Sequence, residues 1–266
     1  AGEKVDDWML ADRREPMPEI PEEVILLTAG IDCQDNRLEA SLIGWARDDE
    51  SWVLDHKTFY GDPSTPQLWG DLDSFLMTQF KNMTGRNMAI RAAAVDSGGH
   101  FTNSVYHYCK KNQGRRIFAI KGVGGSGRAI AGRPSKNNVV KCPLFPVGVN
   151  TIKDLLFARL RIGEEGPGYV HFSDVLQDEY FKQLTAEKIV TRFHKGFKRR
   201  DFVKTRPRNE ALDCFAYAIA AYAIIGVNIN AMAAKVSQMP VAEDPKPKIK
   251  ERFMPSNSGG FLNAWR

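Results

Sequence analysis

The chain has 266 residues, 43% of them hydrophobic and 26% charged, enough for one large domain or two small ones around a core of ordinary size. Its longest apolar run, Phe215 to Val227, falls short of the roughly 20 residues of a membrane-spanning helix, and the acidic N-terminus lacks the basic-then-apolar pattern of a secretion signal. The formal charge is +5, and the four cysteines (Cys33, Cys109, Cys142 and Cys214) form no C-x-x-C pair, which argues against a structural zinc site and, in a chain this apolar, against a disulfide framework.

Residues 1–23 are acidic and carry "EPMPEIPEE"; Pro16, Pro18 and Pro21 disfavour a helix and predict an extended linker. Val24 to Asp32 is a dense apolar run that reads as a buried strand, and the turn signal Asp35-Asn36 follows it. Leu38–Arg47 and Ser51–Tyr60 complete an antiparallel meander. A helix is expected in "PSTPQLWGDLDSFLMTQF", capped by Ser64 or Thr65, with Leu68, Leu72, Phe75, Leu76 and Phe80 on one face. Then come a strand at Ile90–Asp96, a helix at His100–Asn112 and a strand at Arg116–Lys121, an order that predicts a parallel crossover.

Gly122 to Asn138 reads as a long loop. A strand at Leu144–Val149, a helix capped by Asn150 or Thr151 and running to Arg161, the strand "GYVHF" and a helix at Val175–Glu187 follow. Lys188–Phe193 and Asp201–Arg206 flank "HKGFKRR" and predict a β-hairpin with a basic tip. Asn209 is placed to cap an Ala-rich helix reaching Ile225, and from 229 onward a flexible, Pro- and Lys-rich tail is expected. Trp45, Trp52 and Trp69 fall at core positions, and Cys33 and Cys214 are expected to face the core.

Three acidic patterns stand out: Asp32 in "LLTAGIDCQDNRLEASLIGWA", Asp96 in "IRAAAVDSGGH" and Asp213 in "RNEALDCFAYAIAAYAIIG". Two end apolar strands and the third lies on an almost entirely apolar helix, positions where an unpartnered carboxylate is costly. A shared divalent cation is the simplest common partner, and strand ends of parallel sheets are where such sites form. Oxygen ligands without histidine suit Mg²⁺ or Mn²⁺. Glu210, three residues before Asp213, is a candidate supporting or alternate ligand that the helix dipole also favours, and Lys121 is placed to approach a phosphate or steady a ligand. Asp35 reads as a turn former and His100 as the start of a helix.

The charge is unevenly spread. Residues 1–23 hold eight acids and three bases. Ser97–Lys153 holds ten Lys or Arg and no acid, and Lys188–Arg208 holds nine with a single acid, Asp201. Such one-sign stretches between acidic motifs favour a polyanion. Arg128, Arg133 and Lys136 in the glycine loop, and Lys195, Lys198, Arg199 and Arg200 in the hairpin, are the candidate phosphate contacts.

The strings "AGIDCQDNRLEASLIGW", "AAVDSGGH", "IFAIKG" and "RNEALDCFAYAIAA" resemble the C-terminal nuclease domain of tailed-phage terminase large subunits of the lambda type, over nearly all of residues 24–226. The resemblance implies a ribonuclease H-like α/β fold, with three antiparallel strands followed by parallel ones, flanked by helices. It implies an endonuclease in which Asp32, Asp96 and Asp213 hold two Mg²⁺ or Mn²⁺ ions and cut concatemeric double-stranded viral DNA. It also implies an upstream ATPase domain joined through residues 1–23, a nuclease domain at 24–228, a tail at 229–266, partnership with the terminase small subunit and portal protein, and residence in the host cytoplasm. The chain begins at Ala, which reads as a fragment, and "GVGGSGRA" at Gly122–Ala129 has Arg128 and Ala129 where a P-loop needs Lys and Ser or Thr. Two alternatives stay open on the residues alone: a junction-resolvase or transposase-like nuclease, and a catalytically silent DNA- or portal-docking module. A sugar-kinase-like fold would need a duplicated second half.

Overall fold

The computed structural model describes residues 5–125, 127–136, 138, 140–194 and 197–238, and along 191–194 and 197–200 the backbone alone. In chain order the elements are α1 (Asp7–Ala11), β1 (Arg14–Glu15), β2 (Leu26–Gln34), β3 (Arg37–Trp45), β4 (Ser51–Tyr60), α2 (Pro66–Leu76), β5 (Gln79–Lys81), β6 (Asn87–Asp96), α3 (Thr102–Lys111) and β7 (Ile117–Val123). They continue as β8 (Ser135–Lys136), β9 (Pro143–Gly148), α4 (Val149–Leu160), β10 (Val170–Ser173), α5 (Asp178–Leu184), β11 (Glu187–His194), β12 (Phe197–Lys204), α6 (Glu210–Ile225) and α7 (Ile229–Val236).

The main sheet runs β1-β10-β4-β3-β2-β6-β7-β9-β8, with β5 paired to β6. The meander β2–β3–β4 is antiparallel, and β2, β6, β7 and β9 are parallel neighbours. Strand alternation sorts the core. Leu27, Ala29 and Ile31 of β2 and Ala93 and Val95 of β6 pack with α2 and α3 on one face. Leu26 of β2, Ala92 and Ala94 of β6 and Ile120 of β7 pack with α4, α5 and α6 on the other. The same alternation carries Asp32 and Asp96 to the α6 face.

Helix α6 sits unusually close to the sheet. A Cβ on Gly30 would collide with the Cys214 carbonyl oxygen and the Ala218 amide nitrogen. Thr28 Oγ1 donates to the Ala218 carbonyl at 3.0 Å and accepts from Trp45 Nε1 at 2.8 Å. The buried Thr28 hydroxyl is therefore satisfied by the helix it faces and by the neighbouring strand, as burial requires.

Several local expectations differ from the observed elements. Part of the predicted linker folds onto the domain: Leu10 of α1 is fully buried, and β1 pairs in parallel with β10. Of the predicted tail, Ile229–Val236 is helix α7, with Asn228 capping it by accepting from the Ala231 amide; residues 239–266 lie outside the described residues. Helix α4 starts at Val149, one residue before its predicted caps. Short strands β5 and β8 join the sheet where only a helix end and a loop were expected. The hairpin forms as β11 and β12 in a separate two-stranded sheet. No single helix among the described residues is long and apolar enough to cross a membrane.

Candidate metal centre

The C-terminal ends of β2 and β6 and the first turns of α6 enclose a cleft of about 340 Å³, lined by Asp32, Asp96, Asp213, Gln34, Asn209 and Tyr217 among others. Asp96 ends β6 and Asp32 lies two residues before the end of β2, where the expected strand stopped, and the preceding alternate residues of both strands face α6. Asp213 reaches the cleft because Gly30 lets α6 lie on the sheet. Gly98 is needed at the mouth, since a Cβ there would crowd the Asp96 carboxylate at 3.2 Å.

The electrostatics are those of carboxylates held together without enough counter-charge. Burial, with the charges of Asp213 and Asp96, pushes Asp32 up to about 7, against a 2.6 Å hydrogen bond donated by Gln34 Nε2. Burial lifts Asp96 to about 6, although the Gly98 amide donates to it and Lys121 draws it down. Burial also raises Asp213, and Lys153 opposes the rise. Beside them, burial and the Asp32 charge push the Cys33 thiol up to about 12, so it stands neutral; Cys33 is only half-buried at the cleft, whereas Cys214 is buried as expected.

Among the described residues, the group of three His, Cys, Asp or Glu side chains whose ligand atoms all lie within 4.8 Å of one another is elsewhere: Glu15, Glu165 and His171 at the far sheet edge. There both ring nitrogens of His171 already meet carboxylates, Glu15 at 2.8 Å and Glu50 at 2.9 Å. The ligand atoms of the three cleft aspartates do not all lie within that distance of one another. Their chemistry still fits a hard divalent ion: oxygen donors only, Asp32 buried and Asp96 and Asp213 half-buried, each raised in pKa by its burial.

The other sequence candidates separate. Glu210 is buried, but its carboxylate is taken by Arg37 Nη2 at 2.8 Å and Arg208 Nε at 3.3 Å, and it reaches Asp32 only through its charge. Both arginines also clamp the fully buried Glu39, the cross-strand neighbour of Asp32. Burial would raise Glu39, yet His56, Arg37 and Arg208 hold it down at about 2. Lys121 is exposed one residue beyond Ile120, the partner of Asp96, and so alternates to the face away from α6. His100 and Asp35 pair at 2.8 Å at the exposed mouth.

Arg128, Arg133 and Lys136 are exposed but do not line the cleft. Lys195 lies outside the described residues, as do the side chains of Lys198, Arg199 and Arg200. Asn209 stands at the N-cap of α6 without capping it; its Nδ2 donates instead to Asp213 Oδ2 at 2.9 Å and Glu187 Oε1 at 2.7 Å.

Sequence reasoning passed over Lys153, Glu187, Gln34, Lys204 and Tyr217. Lys153 Nζ lies 2.8 Å from Asp213 Oδ1 and 2.7 Å from Glu187 Oε1, and is buried. A signal was present: in "NTIKDLLFARL" Lys153 shares the apolar stripe of Leu156, Phe157 and Leu160, where a lysine needs an anionic partner. Gln34 follows Asp32 by two residues and so shares its face.

An antiparallel meander continued by parallel strands, with carboxylates at two adjacent strand ends and on the long helix crossing them, is a ribonuclease H-like domain with an acidic cleft. The chain belongs to the family described as "Terminase large subunit gpA, endonuclease domain", which matches residues 1–235. It is 34% identical over 231 residues to the terminase large subunit of Escherichia phage lambda, covering 84% of this chain and 36% of that protein. It is 30% identical over 273 residues to the terminase large subunit of Enterobacteria phage P21, covering 99% of this chain and 42% of that protein. The chain thus spans less than half the length of these relatives. Among solved structures, a K428A mutant nuclease domain of the large terminase subunit gp2 of bacterial virus Sf6, with manganese, aligns with a TM-score of 0.45 and 12% identity over 82% of this chain and 99% of that one.

Proposed function

We propose that this domain is a metal-dependent endonuclease that cuts concatemeric double-stranded viral DNA during genome packaging. The observation that carries the reading is the convergence of Asp32, Asp96 and Asp213, from three separate elements, on one cleft, each carboxyl raised in pKa chiefly by burial. In this reading those three side chains hold two Mg²⁺ or Mn²⁺ ions, which would activate the attacking water and stabilise the leaving oxygen of one phosphodiester. Gln34 orients the Asp32 carboxylate, Gly98 and Gly99 keep the mouth open to a bulky backbone, and Lys204 and His100 line the mouth, where a phosphate would pass.

The basic residues Arg128, Arg133, Lys136, Lys195, Lys198, Arg199 and Arg200 supply sequence-independent attraction to the duplex. The nuclease unit takes in α1 and β1 before residue 24 and α7 after residue 228, and in the whole protein an ATPase domain would precede it. The whole protein would act in the host cytoplasm with the terminase small subunit and the portal protein. The relatives' greater length and their role as terminase large subunits support this part of the reading.

The test is plasmid nicking by the purified chain with Mg²⁺, with Mn²⁺ or with EDTA, on wild type and on Asp32→Asn, Asp96→Asn and Asp213→Asn. Cleavage that needs metal and disappears in each variant is the expected result. Cleavage in EDTA, or full activity in any variant, would remove the metal mechanism or that residue.

A further inference from the structure

Two residues of the cleft wall, Asp213 and Asn209, join the buried Lys153 and Glu187 in a quartet in which two carboxylates share one ammonium. Lys153 Nζ, from α4, bridges Asp213 Oδ1 at 2.8 Å and Glu187 Oε1 at 2.7 Å. Asn209 Nδ2 repeats the bridge, donating to Asp213 Oδ2 at 2.9 Å and to the same Glu187 Oε1 at 2.7 Å. Both oxygens of Asp213 are thereby fixed. Glu187 is 8% exposed, does not line the cleft, and leaves its Oε2 buried with no hydrogen-bond partner. A carboxylate serving only to neutralise Lys153 would be redundant, because Asp213 alone can do so, and an orphaned buried oxygen is costly.

The charge count explains its presence. Lys153 with Asp213 alone is a neutral pair, whereas Lys153 with Asp213 and Glu187 carries one net negative charge. We propose that Glu187 and Lys153 are positioning residues for Asp213: Lys153 and Asn209 set the orientation of its carboxylate, and Glu187 draws off the Lys153 charge so that Asp213 stays attractive to a divalent cation. The unit also ties the root of the β11–β12 hairpin, where Glu187 pairs with Lys204, to the helix that bears Asp213. This inference rests on the reading of the cleft as a metal centre.

The experiment is calorimetric titration of Mn²⁺ into the intact chain without DNA, together with thermal unfolding in EDTA. It uses wild type, Glu187→Gln, the double variant Lys153→Met/Glu187→Gln, and Asp213→Asn. Glu187→Gln is expected to weaken Mn²⁺ binding about tenfold, because one nearby negative charge is lost, while its unfolding temperature in EDTA stays level or rises. The double variant removes the competing ammonium as well and is expected to recover to within about threefold of wild type. A merely structural role predicts the opposite pattern, a lower unfolding temperature with unchanged affinity in Glu187→Gln. That pattern, or a double variant as weak as Glu187→Gln, overturns the proposal. The Asp213→Asn arm separates the two ideas. If it binds Mn²⁺ like wild type, the metal-centre reading fails; if it loses binding while Glu187→Gln keeps it, only the positioning role fails.

Discussion

Neutralising Asp32 should stabilise the metal-free domain while disabling its site. The residue is 5% exposed and its pKa stands at about 7 in the fold, against the ordinary 3.8 of an aspartate in the unfolded chain. The folded state therefore binds the proton more tightly, so stability is lost as pH climbs from about 4 to about 7. At roughly 1.4 kcal/mol per unit the ceiling of that loss is about 4 kcal/mol above pH 7. The repulsion is shared with Asp96 and Asp213, and water enters the open cleft, so about 2 kcal/mol is the expected gain for Asp32→Asn at pH 8. In a domain this large that corresponds to roughly 4–8 °C. Thermal unfolding followed by circular dichroism in EDTA reads it directly. The variant should melt higher than wild type at pH 8, and by a smaller margin at pH 5. Excess Mn²⁺ should reverse the order, because wild type gains about 2.7 kcal/mol at a hundredfold excess over Kd and the variant does not. A variant that melts at or below wild type at pH 8 in EDTA, or a margin independent of pH, would refute the electrostatic account.

Three further outcomes are expected. Metal binding needs ionised carboxylates, and Asp96 and Asp32 titrate at about 6 and about 7, so calorimetric Mn²⁺ affinity should rise steeply from pH 5.5 to pH 8; a flat profile would exclude both as ligands. Gly30→Ala should cost about 3 kcal/mol in urea unfolding, since its methyl would enter the α6 backbone at Cys214 and Ala218, and a variant as stable as wild type would mean that α6 does not lie where it is described. Replacing Lys195, Lys198, Arg199 and Arg200 together by Ala should weaken DNA binding and flatten its salt dependence while leaving Mn²⁺ affinity unchanged; cleavage unaltered at physiological salt would reduce the hairpin to a solvated surface.

The sequence was most legible where period and composition agree. Apolar runs ending in Asp32 and Asp96 announced buried strands, and the strand–helix–strand order announced their parallel pairing, because each signal is local and carried by several residues. Boundaries slipped where tertiary contacts decide them. Residues 7–15 look like linker by their charges and by the prolines that follow at 16, 18 and 21, yet Leu10 finds a core and Glu15 a buried histidine. Asn209 looks like a cap by position, yet its amide donates to the carboxylates of Glu187 and Asp213, while Gln183 Oε1 accepts from the Ala211 amide in the buried first turn. Glu210 shows how spacing misleads at a helix start: three residues from Asp213, it is turned instead to Arg37 and Arg208, because the first arginine sits on β3 beside Glu39 and presents a charge that only the folded sheet assembles.

The asymmetry between the three aspartates and their support has one physical root. The aspartates lie near strand ends and on an apolar helix face, and both positions leave a trace in the order of residues. The groups bonded to Asp213 need only be near it in space. Lys153 comes from α4 and Glu187 from β11, 60 and 26 residues before Asp213, and nothing along the chain links them. What the chain does record is the cost: a lysine inside an apolar helical stripe is tolerated only where folding brings it an anion.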